Sequence, residues 1–276
     1  MRPLSNLSKP LEDSRSAESG AAMLHKVIHG SADNKPLLIV HGLFGSARNW
    51  GVIAKRLSDM RQVVAVDLRN HGQSPWSDRH RYTDMASDLA EVITSHGTPM
   101  DVLGHSMGGK AAMTLALTRP ELVGRLIVAD IAPVAYEHDQ SQHIKTMRAV
   151  DLTQVKKRSD VTAQLAQHID DPTLQSFFAQ SLDFASGKWR LNLDALERDM
   201  PAILGFPEFD TIFSNQTLFL SGAESNYVTQ TTRANIKRLF PNAKFAKIPN
   251  TGHWLHAEAP REFEASVRAF LTMSFT

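Results

Sequence analysis

A serine flanked by two glycines is the residue of this sequence best suited to chemistry. The segment Gly104-His-Ser-Met-Gly108 follows a short apolar run, residues 101–103, and precedes a stretch with helical spacing. A G-x-S-x-G segment between a strand and a helix forms a strained turn that exposes the serine hydroxyl at the end of the sheet. Ser106 is therefore predicted to be a nucleophile that attacks the carbonyl carbon of an ester or thioester.

A histidine close to the end of the chain is the predicted general base. Of the 12 histidines, His253 lies in Asn250-Thr-Gly-His-Trp254, just beyond a predicted strand at residues 245–248. Gly252 lets this loop fold back over the edge of the sheet. The order serine, acid, histidine along the chain also fits hydrolases built on such a sheet. The sequence contains no H-E-x-x-H segment, and we predict neither a metal nor another cofactor.

Two carboxylates compete for the third role, which is to fix the tautomer of His253 and stabilise its charged form. Asp130 ends the predicted strand 125–128, which neighbours the strand of the nucleophile. Glu224 lies in the loop after the next strand, where Ser225 occupies the position at which an aspartate is expected. We favour Asp130 as the acid, with a supporting hydroxyl from Ser225, and Glu224 stays open as the alternative.

Acyl transfer also needs donors for the negative charge that develops on the carbonyl oxygen. The N–H of Met107, directly after the nucleophile, is one predicted donor. The second is the N–H of Leu43, in the loop after the first predicted strand, where Gly42 lets the backbone turn. Phe44 and Trp254 are then expected to line the substrate pocket.

The elements that must position these residues alternate between strands and helices. Continuous apolar runs separated by amphipathic stretches predict an α/β fold whose mostly parallel central sheet is flanked by helices. The predicted strands are residues 37–40, 62–66, 101–103, 125–128, 216–220 and 244–248, and the predicted helices between and after them are 49–57, 85–93, 107–117, 229–239 and 260–271.

The alternation stops between the fourth and fifth of these strands. Residues 135–215 show helical stretches at 144–150, 161–169, 174–182 and 193–203 and no strand. We interpret them as a helical cap over the strand ends, where open α/β sheets bind ligands. Residues 23–134 and 216–276 then form the core, and the polar, serine-rich residues 1–22 are predicted to be a flexible extension.

Composition excludes several classes of partner. The net charge is +1 and no long basic run occurs, so neither a nucleic-acid surface nor a polyanion partner is expected. No apolar run reaches 18 residues, and we predict no membrane insertion. The chain has 0 cysteines and lacks a secretory signal, which favours the cytoplasm. A small-molecule ester or thioester is the expected partner, and both a monomer and a dimer fit the sequence.

Five segments together resemble one branch of the α/β-hydrolase superfamily, the bacterial YbfF-like carboxylesterases and their mitochondrial relatives. They are His41-Gly-Leu-Phe-Gly-Ser46, Asp67-Leu-Arg-Asn-His-Gly-Gln-Ser74, Gly104-His-Ser-Met-Gly-Gly-Lys110, Asp130-Ile-Ala-Pro133 and Gly252-His-Trp-Leu-His-Ala257. The resemblance covers nearly the whole chain from about residue 24 onwards.

The resemblance implies carboxylesterase or acyl-thioesterase activity under a helical cap. It also implies that Asp130 is the acid with Ser225 beside it, although Glu224 departs from the small or amide residue expected at its position. The alternatives are a related hydrolase of carbon–carbon bonds, an acyltransferase with the same serine, or a member that only binds a ligand.

Overall fold

The structure is a computed structural model that describes residues 23–31, 34–138 and 140–274. The extension predicted for residues 1–22 lies outside the described residues. The strands are β1 Lys26–His29, β2 Leu37–Val40, β3 Val63–Val66, β4 Met100–His105, β5 Val123–Ala129, β6 Leu182–Asp183, β7 Lys188–Trp189, β8 Thr217–Gly222 and β9 Ala243–Ile248.

Seven of these strands form one sheet in the order β1-β3-β2-β4-β5-β8-β9. All neighbours in it are parallel except β1, which pairs antiparallel with β3. The six predicted strands are confirmed with shifts of one or two residues at their ends. The sequence did not predict β1, a four-residue edge strand in which Lys26 and His29 flank only two apolar residues.

The helices cover both faces of the sheet and fill the segment between β5 and β8. They are α1 Gly51–Leu57, α2 Tyr82–His96, α3 Met107–Thr118, α4 Ser141–Ala149, α5 Arg158–Leu165, α6 Pro172–Ala179, α7 Leu193–Arg198, α8 Met200–Leu204, α9 Gln230–Leu239, α10 Leu255–Glu258 and α11 Pro260–Thr272. Short 3₁₀ helices occupy Ala47–Trp50, Pro120–Leu122 and Leu152–Gln154.

The sequence predicted only helices between β5 and β8, but the structure also contains two short strands there. Strands β6 and β7 form a small antiparallel hairpin, and Gly187 makes its turn possible with a φ of 63°. The predicted helix 174–182 therefore ends at Ala179. The predicted helix 193–203 is two helices, α7 and α8, and Pro201 at the start of α8 has no N–H to continue the first one.

Two apolar clusters lie on opposite faces of the sheet and hold its layers together. One contains α2 and α3 and extends into the inserted segment, and the other packs α1 and α11 against β2, β4 and β5. The four strands β4, β5, β8 and β9 are consecutive neighbours, so their carboxyl ends meet at one edge of the sheet. All the predicted chemical groups follow these four ends or that of β2.

Candidate active site

Ser106 stands at the bend between β4 and α3, as the glycine-flanked segment predicted. Its backbone has a φ of 52° and a ψ of −122°, in a region that non-glycine residues rarely adopt. The bend is fixed at both ends, because Ser106 N–H donates to Ala129 O at 2.9 Å and Ser106 O accepts from Lys110 N–H at 3.1 Å. The residue is partly exposed, so its hydroxyl is open to the space above the sheet.

The glycines on either side of the bend are required by close backbone contacts. A Cβ on Gly104 would lie 2.3 Å from Gly108 O, and a Cβ on Gly108 would lie 2.3 Å from His41 O. Real Cβ atoms do not approach backbone oxygens this closely. The sequence G-x-S-x-G is therefore a packing requirement of this strand-to-helix turn as well as a marker of chemistry.

His253 reaches Ser106 from the loop that follows β9. Its Nε2 lies 3.0 Å from Ser106 Oγ, and the imidazole is 22% exposed. Glu258 holds the loop by accepting from the N–H groups of Gly252 and Trp254, at 2.7 and 3.1 Å. The ring of Tyr227 stacks on the imidazole with centroids 4.2 Å apart.

Asp130 is the carboxylate that contacts the other side of the same imidazole. Its Oδ2 lies 2.8 Å from His253 Nδ1 and also accepts from Ser225 Oγ at 2.6 Å. Its Oδ1 accepts from Gly222 N–H at 3.1 Å, and the residue is completely buried. Three hydrogen-bond partners and burial leave the carboxylate one orientation, which faces the histidine.

Glu224, the alternative acid, does not take this place in the structure. Its backbone N–H donates to Thr251 O at 2.9 Å, which ties the two loops together, while its side chain is exposed. The neighbouring Ser225 is the residue whose hydroxyl reaches Asp130. The geometry thus brings together Ser106, His253, Asp130 and Ser225, and leaves Glu224 outside.

The loop after β2 presents, beside Ser106, an N–H without a partner among the described residues. Gly45 N–H donates to Gly42 O at 3.0 Å, and Phe44 N–H donates to His71 Nε2 at 3.1 Å. The N–H of Leu43, between them, has no acceptor among the described residues. Gly42 packs closely, since a Cβ there would lie 3.3 Å from Ser106 Cβ.

The turn in this loop is made differently from the prediction. The left-handed residue is Phe44, with a φ of 62°, and Gly42 has no positive φ. Gly42 is instead needed because His105 and Ser106 lie against it. On the nucleophile side, Met107 is the first residue of α3, so its N–H has no acceptor within the helix.

A cavity of about 280 Å³ opens directly onto Ser106 and His253. Phe44 and Trp254 line it, as do Phe177 and Phe178 from α6. Phe44 packs edge-on against Phe178 with centroids 5.5 Å apart, and Phe177 packs against Trp254 at 4.7 Å. The inserted segment therefore supplies one wall of the cavity and the loops of the sheet supply the other.

Sequence reasoning missed three residues that shape this site. Tyr227 stacks on the base, His71 accepts from Phe44 N–H, and Lys110 lines the cavity one helical turn after Ser106. No spacing in the sequence marks Tyr227 or His71. Lys110 could have been noticed, because a lysine is unusual among the apolar residues of a buried helix such as α3.

Several histidines near the site are buried and held neutral. Burial lowers the pKa of His80 and of His256 to about 3, and it holds the pKa of His71 and His105 well below the usual 6.5. Among the described residues, no three histidine, aspartate or glutamate side chains are grouped so as to hold a metal ion. No helix in the described part of the chain is long and apolar enough to cross a membrane.

The fold and the arrangement of the site loops agree with a comparison against known protein families. A family model described as the alpha/beta hydrolase fold matches residues 35–260, so the chain belongs to that family. Within the family it falls in the branch that contains Esterase YbfF of Escherichia coli (strain K12), which is 34% identical over 87% of this chain and 94% of that protein.

Two further similarities support this assignment. The sn-1-specific diacylglycerol lipase ABHD11 of Danio rerio is 38% identical over 97% of this chain and 88% of that protein. A solved structure described as a marine microorganism esterase superposes with a TM-score of 0.86 at 37% identity, over 91% of this chain and all of its own (100%). The predicted family and branch are confirmed.

The buried neutral histidines predict how stability depends on pH. In the unfolded chain they bind protons below about pH 6.5, whereas the folded protein keeps His80 and His256 neutral down to about pH 3. The unfolded state therefore binds more protons, and the free energy of unfolding falls as the pH drops below 6.5. Each such histidine contributes a slope of about 1.4 kcal/mol per pH unit.

Urea unfolding at pH 7, 6 and 5 measures this slope, and His256→Phe is the informative variant. The phenyl ring can keep the stacking on Trp50 but cannot bind a proton, so the slope between pH 6 and 5 should be smaller by about 1.4 kcal/mol per pH unit. Equal slopes in the wild type and the variant would contradict the neutral, buried state of His256.

Proposed function

We propose that this protein is a serine carboxylic-ester hydrolase that works through an acyl-enzyme on Ser106. The observation that carries the proposal is an unbroken series of contacts at the cavity. Ser106 Oγ lies 3.0 Å from His253 Nε2, and His253 Nδ1 lies 2.8 Å from Asp130 Oδ2. The names of the relatives, an esterase and a lipase, support the same class of bond.

In the proposed first step, His253 Nε2 takes the proton of Ser106 Oγ as the oxygen attacks the ester carbonyl carbon. The carbon–oxygen bond to the alcohol then breaks, and the imidazolium returns its proton to the departing alkoxide. Asp130 accepts from Nδ1–H, which keeps Nε2 free as the acceptor and stabilises the positive charge of the imidazolium. In the second step, a water attacks the acyl-enzyme by the same route and releases the acid.

We assign the developing oxyanion to the N–H groups of Leu43 and Met107. Both donors lack a protein partner in the described residues, and the loop of Leu43 packs against Ser106 through Gly42. Preorganised donors of this kind contribute about 3–4 kcal/mol each to the stabilisation of the transition state. The bond from Phe44 N–H to His71 keeps that neighbouring N–H from competing for the oxyanion.

Residues 135–215 act, in this proposal, as a cap that forms the acyl pocket above the sheet. The substrate is a small-molecule ester whose acyl chain lies among Phe44, Trp254 and the aromatic residues of α6. An acyl-coenzyme A thioester is the alternative substrate, with coenzyme A as the leaving group. A cytoplasmic location stays a prediction from the cysteine-free composition. The two alternative reactions differ from ester hydrolysis in one feature each. An acyltransferase passes the acyl group to an alcohol in place of water, and a carbon–carbon hydrolase cleaves a carbon–carbon bond in place of an ester bond.

Replacing Ser106 and Asp130 in turn tests the proposed mechanism. Ser106→Ala should abolish turnover of p-nitrophenyl acetate without unfolding the protein. Asp130→Asn should lower kcat by about 10⁴, because the imidazole then loses the tautomer that it needs. The matched change Glu224→Gln, on an exposed side chain of the same chemistry, should leave kcat within a factor of two of the wild type (about 0.4 kcal/mol).

Circular dichroism of each variant serves as the control for folding in these steady-state assays. The assignment of the acid is wrong if Glu224→Gln loses activity while Asp130→Asn keeps it. The assignment of the nucleophile is wrong if folded Ser106→Ala hydrolyses the ester at the rate of the wild type.

A panel of acyl chains on two leaving groups tests the proposed substrate class. The cavity volume of about 280 Å³ lies just below the usual range of about 300–1,000 Å³ for ligand pockets. We therefore expect kcat/KM to rise from acetyl to hexanoyl, by at most about 0.8 kcal/mol per methylene, and to fall for dodecanoyl. Steady-state assays with p-nitrophenyl esters and with acyl-coenzyme A thioesters measure this directly.

We expect the oxygen esters to be the better substrates at every chain length in this panel. The ratio of hydrolysis to transfer onto added ethanol also separates a hydrolase from an acyltransferase. Higher kcat/KM for the coenzyme A thioesters, or for the longest chains, would overturn the proposed substrate class while leaving the serine chemistry intact.

A further inference from the structure

A lysine lies on the wall of the cavity, one helical turn below the nucleophile. Lys110 N–H donates to Ser106 O at 3.1 Å, so the two residues follow one another on the same face of α3. Both line the cavity of about 280 Å³. The lysine is 1% exposed, which places its ammonium group among the most buried charges of the protein.

Backbone oxygens and aromatic rings fix the position of this ammonium group. Nζ donates to Leu204 O at 2.9 Å and to Gly205 O at 2.6 Å, both just after the end of α8. It lies 4.8 Å from the ring centroid of Tyr136 and 5.7 Å from that of Tyr82. Two of its three N–H bonds are thereby used, and no acceptor among the described residues takes the third.

The two tyrosine hydroxyls nearby form their hydrogen bonds with other groups and not with Nζ. Tyr82 O–H donates to Ile203 O at 2.6 Å, and Tyr136 O–H donates to Tyr227 O at 2.8 Å. Tyr136 Oη also accepts from a backbone N–H, that of Ala132, at 3.0 Å. Neither hydroxyl is hydrogen-bonded to the ammonium group in the described part of the chain.

The positive charge of Lys110 has no counter-ion in the described part of the chain. Among the described residues, Nζ has only backbone oxygens as hydrogen-bond partners, and none of those that line the cavity is an aspartate or a glutamate. Carbonyl dipoles and ring faces stabilise a cation but do not neutralise it, and an unpaired buried charge costs several kcal/mol. Burial accordingly lowers the pKa of Lys110 to about 7.

We propose that Lys110 is an anion-binding residue of the acyl pocket, which receives the far carboxylate of a dicarboxylic acid half-ester. The proposal rests on the function proposed for Ser106, because the ester carbonyl must be at the nucleophile when the other end of the acyl chain reaches Nζ. The cavity that Ser106 and Lys110 share is lined mostly by apolar and aromatic residues, which suit the methylene chain between the ester and the far carboxylate.

Five other titratable groups that line the cavity are uncharged near neutral pH. Burial raises the pKa of Tyr82, Tyr136 and Tyr227 above its usual value, so the phenols remain protonated. Burial also lowers the pKa of His138 and His143. From the inserted segment, the end of α8 faces Nζ with the backbone carbonyls of Leu204 and Gly205, which are uncharged.

Paired methyl esters test the proposal with one leaving group throughout. Monomethyl succinate, glutarate and adipate each carry a far carboxylate, and the methyl ester of the unbranched acid with the same number of carbons is the neutral partner. The quantity measured is the ratio of kcat/KM for the anionic ester to that for the neutral ester. In at least one pair, Lys110→Met should lower this ratio by about 10-fold to 100-fold, as expected for a hydrogen bond between charged groups.

Lys145→Met is the matched control, since this lysine is exposed on α4 and does not line the cavity. Its ratio should equal that of the wild type. An equal loss on both members of every pair in Lys110→Met would show that the lysine only ties α3 to the inserted segment, and would overturn the proposal. An unchanged ratio would overturn it as well.

The wild type alone provides a second test that does not depend on folding of the variant. Because Lys110 loses its proton near pH 7, the ratio should fall by about tenfold between pH 6 and pH 8.5 in a pair that reaches Nζ. A ratio independent of pH in all pairs contradicts the proposal.

These outcomes are distinct from a failure of the proposed function. If Ser106 is not the nucleophile, Ser106→Ala hydrolyses both members of each pair and the ratios carry no information on the acyl pocket. If Ser106 is the nucleophile and Lys110 binds no anion, the neutral esters are hydrolysed through Ser106 and the ratios do not respond to Lys110 or to pH.

Discussion

The contact between Asp130 and His253 is the constraint on which the arrangement of the site depends. It joins the ends of β5 and β9, and β8 lies between them in the sheet. Since parallel strands end at the same edge, the register of β4, β5 and β8 places Ser106 and Asp130 side by side, and Gly222 follows one residue after Ser221, which aligns with them. The glycine matters here, because a Cβ at Gly222 would lie 2.2 Å from Gly252 O and would push the histidine loop away.

Backbone strain is concentrated at the same edge of the sheet. Among the described residues other than glycine, positive φ values occur at Phe44, Ser106, Asp130 and Asn250 in the site loops, and at Asn70 next to His71. Each such residue costs on the order of 1–3 kcal/mol, so the surrounding bonds must hold it. The hydrogen bonds from Phe44 to His71 and from Gly222 to Asp130 are examples of that support.

Much of this could be predicted from the sequence because the motifs carry backbone requirements. The apolar runs identified six strands, and the glycines around Ser106 identified the turn that they permit. The choice between Asp130 and Glu224 depended on which loop reaches the imidazole, a tertiary question that sequence order cannot decide. Strand β1 and the left-handed Phe44 are held by partners distant in sequence, and β6 and β7 have only two residues each, so local pattern could not reveal them. The environment of Lys110 likewise exists only after α8 packs against α3.

Covalent labelling is the most direct measurement of whether Ser106 is the nucleophile that His253 activates. A p-nitrophenyl alkylphosphonate places its phosphorus on an activated serine oxygen and releases p-nitrophenolate, so mass spectrometry of the digested protein locates the adduct. We expect one adduct per chain, on the peptide that contains Ser106, and much slower labelling in His253→Ala. An adduct on another residue, or rapid labelling of Ser106 without His253, would contradict this assignment.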